Sequence, residues 1–268
     1  MTHLAVEHLV HDYPNGVRAL DDVTFRIEPG ESVGFIGQNG SGKTTLARHL
    51  NGLLRPTSGR VLVDGNDAVA RRVADLARVV GLVFQDPDRQ IFSGSVRREV
   101  EFGARNVGLR GEALERAVAG ALEQVGLTAD AATNPYDLGS ARRKLLALAS
   151  VLSMETPVLV LDEPTTGQDR TGVERVLRVV TAATAARRTV ITISHDLRFV
   201  ARACDRVVVL RAGRVALDAS PANAFAANNW ETLRLTGLEP PPAAVAAHHL
   251  GLGAIATEEE LVSALSRR

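Results

Sequence analysis

The stretch that most constrains this chain is GQNGSGKTT, residues 37–45. The apolar segment SVGFI precedes it, and TTLARHL within and after it has the apolar spacing of a helix. Glycine adopts backbone conformations that other residues avoid, so such a segment can curl until several N–H groups point at one anion. The helix that follows adds the positive end of its dipole. The sequence therefore predicts a strand, a phosphate-binding loop and a helix in immediate succession.

The spacing Gly37-x4-Gly42-Lys43-Thr44 fits the loop that holds a nucleoside triphosphate. Lys43 would reach the outer phosphates, and the Thr44 hydroxyl would be a ligand of Mg²⁺. Lys43 is one of only two lysines among 31 basic residues, and an ammonium and a guanidinium are not interchangeable at a phosphate. We expect ATP to be bound by the residues Gly37, Gln38, Asn39, Gly40, Ser41, Gly42, Lys43, Thr44 and Thr45.

Composition narrows the class of protein further. The chain has 31 basic and 31 acidic residues, a balance that argues against a nucleic-acid partner. Its single cysteine, Cys204, allows no internal disulfide and favours a reducing compartment. The N-terminal residues lack the pattern of a signal peptide, and no apolar run approaches the roughly 20 residues of a membrane helix. We expect a soluble protein. If it works at a membrane, a partner would hold it there.

Strand and helix patterns alternate along most of the chain, which predicts an α/β fold with a largely parallel sheet. Between about residues 95 and 152 apolar positions recur every three or four residues, which predicts a helical subdomain. The pattern loosens after residue 222; LEPPPAAV at 238–245 has the composition of a linker, and Thr257 begins a predicted helix. We expect an ATP-binding domain over residues 1–222 and a helical appendage over 223–268.

Two carboxylates end the apolar strand VLVLD and begin the next turn. Asp162 would emerge beside the phosphate loop and complete the Mg²⁺ shell. Glu163 would orient the attacking water and act as general base. His195 follows the strand TVITIS, where we expect a contact with the terminal phosphate.

Two further residues are candidates for this site. Gln85 follows the apolar run GLVF, and its amide would reach Mg²⁺ or the attacking water. Tyr13, just before the PNG turn, would stack on the base of the nucleotide, with a buried core aromatic as the competing interpretation.

Five motifs in this order, GQNGSGKTT, VFQ, VLVLDEP, TTGQD and ISHD, resemble those of the nucleotide-binding domain of ABC transporters over roughly residues 4–220. The resemblance implies a P-loop NTPase core with a parallel sheet, a small antiparallel β-subdomain and the inserted helical subdomain. It implies ATP hydrolysis coupled to transport, and it makes Gln168 and Asp169 the D-loop. Two such domains would form a head-to-tail dimer, with each ATP between one phosphate loop and the signature helix of the other domain.

The segment VFQDPDRQIFSGSVRREVEFGARNVGL resembles the Q-loop region of ATPases from energy-coupling-factor (ECF) transporters. The residues from Phe84 to Phe92 and from Val96 to Gly103 fit the family pattern, and the C-terminal tail resembles one that helps to hold these dimers. The resemblance implies a pair of ATPases at the cytoplasmic face of the membrane. The pair would drive a coupling protein and a substrate-binding membrane protein that take up a vitamin or a transition-metal ion.

The family signature, Leu-Ser-Gly-Gly-Gln, is degenerate in this chain. Without a gap it aligns with Leu138, Gly139, Ser140, Ala141 and Arg142, which keeps the following helix in register. A one-residue gap would instead place Ser140 on the family serine. Loss of one good transition-state donor costs about 2.7–4 kcal/mol in other enzymes. We therefore expect an asymmetric pair with a different subunit whose signature is intact; a homodimer that tolerates the altered motif is the alternative.

Other classes of protein fit the sequence less well. An ATPase of a conventional ABC transporter is the nearest rival. A soluble ABC-type ATPase would show fused cassettes, a long coiled coil or a basic linker, and a GTPase would need an Asn-Lys-x-Asp motif that neither lysine supplies. A non-hydrolysing nucleotide-binding module is disfavoured by the adjacent carboxylates Asp162 and Glu163.

Overall fold

The structure is a computed structural model that describes residues 2–267. Its strands are β1 (Leu4–Asp12), β2 (Arg18–Ile27), β3 (Ser32–Ile36), β4 (Ser58–Val63), β5 (Asn66–Asp67), β6 (Val80–Val83), β7 (Val158–Asp162), β8 (Thr189–Ile193), β9 (Arg206–Arg211) and β10 (Arg214–Ala219). Its helices are α1 (Lys43–Leu50), α2 (Val73–Leu76), α3 (Val96–Asn106), α4 (Gly111–Val125), α5 (Ser140–Leu152), α6 (Arg170–Ala185), α7 (Leu197–Ala203), α8 (Pro221–Ala224), α9 (Trp230–Leu235), α10 (Pro242–His249) and α11 (Glu258–Leu265).

A six-stranded sheet with the order β10-β9-β3-β8-β7-β6 forms the centre of the molecule. All neighbouring strands in it are parallel except β10, which pairs antiparallel with β9 at one edge. Alternate residues of β7 enter two different hydrophobic cores: Leu159 and Leu161 enter one, and Val158 and Val160 enter the other. Both faces of the sheet are therefore covered, which explains why its strands read as continuous apolar runs.

A second sheet, β2-β1-β4-β5, is antiparallel throughout. The burial of β2 alternates over its second half, as expected for a sheet with one solvated face. Phe25 of β2 packs on Phe35 of β3 with ring centroids 5.1 Å apart, which joins this sheet to one face of the central sheet. The small antiparallel β-subdomain implied by the family resemblance is confirmed.

The helices α3, α4 and α5 pack on one another and form the inserted helical subdomain. Val100, Val118 and Leu146 are fully buried between them. The Ser95 hydroxyl caps the start of α3, and Gly126 ends α4 in the left-handed conformation with φ 68°. The three helices lie within the region whose periodicity predicted a helical subdomain.

The last four helices pack onto the rest of the protein. Leu233, Leu238, Ala244 and Ala256 belong to the same hydrophobic core as the helical subdomain and one face of the central sheet. The prediction of a linker over residues 238–245 is wrong for its second half, because α10 begins at Pro242. Proline fits the first position of a helix, where its missing N–H has no partner to lose.

No helix within residues 2–267 is long and apolar enough to cross a membrane.

Candidate ATP-binding and hydrolysis site

The phosphate loop lies between the carboxyl end of β3 and the start of α1. Gly37 and Gly42 have φ values of 149° and 103°, and a Cβ on them would approach the carbonyl oxygens of Leu210 and Ala19 to 2.3 and 2.5 Å. Only glycine fits these two positions. Gly42 leaves the start of α1 without a side-chain cap, so the first N–H groups of the helix remain available to an anion.

The Lys43 ammonium folds back over this loop. Its Nζ atom donates to the carbonyl oxygens of Gly37 at 2.6 Å and Gln38 at 2.9 Å. Burial lowers the pKa of Lys43, and the nearby charges of Glu163 and Asp162 oppose that shift. The ammonium therefore lies inside the loop, near enough to the two carboxylates to feel their charge.

Thr44 and Asp162 form the candidate Mg²⁺ site. The Thr44 hydroxyl donates to Oδ2 of Asp162 at 2.9 Å, and Oδ1 of the same carboxylate is buried without a hydrogen-bond partner in the described part of the chain. Burial raises the pKa of Asp162, and the bond from Thr44 opposes this. A hydroxyl beside a carboxylate with a spare buried oxygen suits Mg²⁺, which prefers oxygen ligands.

Glu163 and His195 lie in direct contact. The Nδ1 atom of His195 is 2.8 Å from Oε2 of Glu163, and the same carboxylate oxygen accepts a hydrogen bond from the Thr166 hydroxyl at 3.2 Å. The Glu163 side chain is 7% exposed, whereas that of His195 is 61% exposed. A buried carboxylate is thus oriented by an exposed histidine, an arrangement that can hold a water molecule and accept its proton.

Glu163 and several other predicted residues line one open cavity of about 480 Å³. Tyr13 and Gln85 lie in its wall, together with Lys43 and Thr44. Tyr13 is half-buried, and its hydroxyl is 3.0 Å from the Thr45 hydroxyl. The structure therefore brings the loop, the general-base candidate and both outlying candidates to a single opening.

The signature segment forms the start of α5. Gly139 has extended backbone angles at the N-cap, and Ser140 is the first helical residue. No side chain caps this helix, so the N–H groups of its first turn are available. Arg142 forms an ion pair with Asp130, which engages its charge within the subdomain. Within residues 2–267, the signature segment contributes no residue to the lining of the 480 Å³ cavity.

The predicted D-loop residues, Gln168 and Asp169, lie between β7 and α6, and Gln168 reaches the start of α5. Nε2 of Gln168 donates to the Ala141 carbonyl oxygen at 2.8 Å. The Asp169 carboxylate accepts from the Gly172 N–H at 2.7 Å and caps the start of α6. Both side chains therefore have structural contacts within the chain.

Lys144 is one residue near the site that the motif interpretation missed. It is buried, and its Nζ atom donates to the carbonyl oxygens of Glu163 at 3.0 Å and Thr166 at 3.1 Å. The only sequence signal was the scarcity of lysine in an arginine-rich chain.

The fold and this site define a P-loop nucleoside triphosphatase. Residues 20–166 match the model of the ABC transporter family, and the chain belongs to that family. The chain has the fold of that family and is an ATP-hydrolysing cassette.

Comparisons with known proteins support the same assignment. The energy-coupling factor transporter ATP-binding protein EcfA2 of Symbiobacterium thermophilum is 43% identical over 255 residues, which cover 92% of this chain and 88% of that protein. An ABC transporter ATP-binding protein of Methanosarcina acetivorans is 41% identical over 239 residues, 89% of this chain, and the match spans only 39% of that longer protein. The predicted resemblance to ECF transporter ATPases is confirmed.

A solved structure also supports the assignment to the ABC transporter family. The structure of cbiO1 from Clostridium perfringens, described as part of the ABC transporter complex cbiONQ, matches with a TM-score of 0.75 and 37% identity. The match covers 86% of this chain and 92% of that chain.

Proposed function

We propose that this chain is the ATP-hydrolysing subunit of an ECF-type importer and works in an asymmetric ATPase pair at the cytoplasmic face of the membrane. The observation that carries the proposal is the single cavity shared by the phosphate loop and Glu163, while the altered signature segment lies outside it. The rival function is that of an ATPase in a conventional ABC transporter or a soluble ABC ATPase.

In this mechanism the chain binds ATP through backbone N–H groups of the loop and the start of α1, with Lys43 on the outer phosphates. Thr44 and Asp162 would hold Mg²⁺, which when bound neutralises charge on the outer phosphates. Gln85 would contact the Mg²⁺ shell or the attacking water, and Tyr13 would stack on the base. Glu163 accepts the proton of that water, and His195 both orients the carboxylate and contacts the terminal phosphate.

The asymmetry follows from which residues are intact. The nucleotide site of this chain has all of its candidate phosphate, metal and general-base residues. The signature helix of a partner would complete this site. The partner's nucleotide would meet Gly139, Ser140, Ala141 and Arg142 of this chain. Ala141 adds a Cβ where the family has glycine, and the charge of Arg142 is already paired with Asp130. That second composite site would therefore hydrolyse ATP slowly.

An exposed apolar groove, separate from the nucleotide cavity, is a candidate binding surface for a partner protein. The groove has a volume of about 510 Å³ and lies between α2, β6, α3 and α5. Phe92 and Phe102 line it, are 59% and 47% exposed, and pack edge to face with ring centroids 4.6 Å apart. Exposed apolar patches of this kind mark interaction sites. We assign this groove to the membrane coupling protein.

Recovery of the chain from membranes tests the proposal. We expect the chain to copurify with a second ATPase whose signature is intact, a coupling protein and a small substrate-binding membrane protein. Copurification with soluble proteins alone would favour the soluble ABC ATPase, and a conventional permease would favour the rival transporter. In the recovered complex, we expect Glu163→Gln to remove most hydrolysis and to retain ATP binding.

A further inference from the structure

Lys144 is a buried cation directly beneath the hydrolytic residues. It lies in the second turn of α5 and is 8% exposed. Both of its hydrogen bonds in the described part of the chain go to backbone carbonyl oxygens, those of Glu163 and Thr166. These carbonyls are 19 and 22 residues further along the chain.

Burial of this ammonium is not a source of stability by itself. Burial lowers the pKa of Lys144, and only the negative charges of Glu163, Asp162 and Asp86 oppose the shift. An apolar side chain of similar volume would avoid that desolvation cost. The position of the ammonium therefore calls for a role other than packing.

The backbone of Glu163 has an unusual conformation that needs support. Its φ is 51°, a region that residues with a Cβ rarely adopt and that is strained. Its N–H donates to the Ile193 carbonyl at 2.8 Å, and its own carbonyl accepts from Lys144 at 3.0 Å. Strong bonds to both backbone groups of Glu163 thus fix the direction of its side chain.

The same ammonium also holds Thr166, which contacts the Glu163 carboxylate alongside His195. Thr166 accepts from Lys144 through its carbonyl oxygen and donates through its hydroxyl to the Glu163 carboxylate. A single cation therefore holds the backbone of the general base and the backbone of its hydroxyl donor.

We propose that Lys144 is a positioning residue that holds Glu163 in the orientation needed for hydrolysis. The inference rests on the proposed function, in which Glu163 is the general base. Loss of the ammonium would release the Glu163 and Thr166 carbonyls and let the carboxylate move, while the phosphate loop and the Mg²⁺ ligands would stay in place.

The test compares four variants of the full chain in the complex recovered from membranes: Lys144→Met, Glu163→Gln, the double variant, and Arg188→Met as a matched control. Arg188 is also a partly buried cation whose pKa is lowered by burial, and its Nε atom donates to the Thr156 carbonyl at 2.7 Å. It lies at the amino end of β8, at the edge of the sheet opposite the site.

We expect Lys144→Met to lower kcat roughly 10- to 100-fold and to change KM for MgATP less than about twofold, because small displacements of a catalytic group carry losses of this size. In a Glu163→Gln background the same substitution should cause no further loss, because the two residues act as a unit. Arg188→Met should keep kcat, because Arg188 lies away from the site. Amide hydrogen exchange at residues 163–168 should be faster in Lys144→Met and unchanged in Arg188→Met.

The outcomes separate the inference from the function on which it rests. Normal hydrolysis by Glu163→Gln would contradict the proposed general base itself. If that variant is inactive while Lys144→Met keeps the wild-type kcat, only the inference fails. It fails too if Lys144→Met lowers the residual rate equally in both backgrounds, or if Arg188→Met lowers kcat as much. Should Lys144→Met not fold, Lys144→Gln keeps one neutral donor and is held to the same comparisons.

Discussion

The buried carboxylate of Asp162, the candidate Mg²⁺ ligand, affects the stability of the folded protein. It is 3% exposed, one of its oxygens has no partner among the described residues, and burial raises its pKa above the ordinary 3.8. A carboxyl with a raised pKa stabilises the folded protein fully below 3.8, and this contribution is lost as pH rises through the folded-state pKa. At neutral pH the ionised Asp162 therefore lowers the free energy of unfolding until a cation binds.

We predict that Asp162→Asn raises the thermal midpoint at pH 7.5 without nucleotide, because the amide removes a buried charge and still accepts from Thr44. A gain of about 1 kcal/mol would raise the midpoint roughly 2–4 °C in a domain of this size. The difference should shrink as pH falls towards 4. Thermal unfolding with and without MgATP measures both effects, and a variant no more stable than wild type at pH 7.5 would refute the account.

A second prediction concerns Gly42, where the phosphate loop passes close to the backbone of Ala19. Gly42 and Gly65 both have positive φ, 103° and 75°, but only a Cβ on Gly42 meets the backbone, at 2.5 Å from the Ala19 oxygen. A loop displacement that costs about 1.4 kcal/mol in binding lowers affinity tenfold. We expect Gly42→Ala to weaken MgATP binding at least about tenfold and Gly65→Ala to leave it unchanged. Titration with a fluorescent ATP analogue measures both, and equal affinities would contradict the role of the contact.

At the scale of elements, the groove between α2, β6, α3 and α5 makes a prediction about partners. Truncation of aromatic residues at the centre of an interface commonly costs 2 kcal/mol or more, about 30-fold in affinity. We expect Phe92→Ser with Phe102→Ser to reduce recovery with the membrane proteins at least about tenfold while thermal stability and MgATP binding stay unchanged. Val69→Ser, at an exposed apolar residue outside this groove, is the control. Undiminished recovery would place the partner elsewhere.

Elements differ in how far the sequence predicts them. The strands of the central sheet follow from apolar runs, and the phosphate loop follows from its spacing, because both depend on local residue order. The helix α10 was missed because proline composition predicted a linker, whereas Pro242 occupies the one helical position that tolerates it. Lys144 was missed because its partners lie 19 and 22 residues away, and only the packed structure brings these segments together.

At the scale of the whole molecule, the proposed pairing joins two unlike surfaces of the chain. One surface presents the candidate nucleotide cavity, which is lined by Lys43, Thr44 and Glu163. The start of α5 presents the predicted signature segment, in which the ungapped alignment puts Ala141 and Arg142 in place of glycine and glutamine. The C-terminal helices pack on the domain, and α11 forms ion pairs with α7 through Arg198–Glu258 and Arg202–Glu259. We propose that this appendage stabilises the dimer.

The proposed asymmetry of the ATPase pair can be measured with one matched substitution in each subunit. Two variants of the recovered pair are made: one carries Glu163→Gln in this chain, and the other carries glutamine in place of the corresponding glutamate of the partner. ATP hydrolysis is measured for each variant. We expect Glu163→Gln to remove nearly all activity and the partner substitution to remove little, because the site completed by the degenerate signature would already be roughly 10²- to 10³-fold slower. Equal losses from the two substitutions, or a larger loss from the partner's, would contradict the proposed asymmetry.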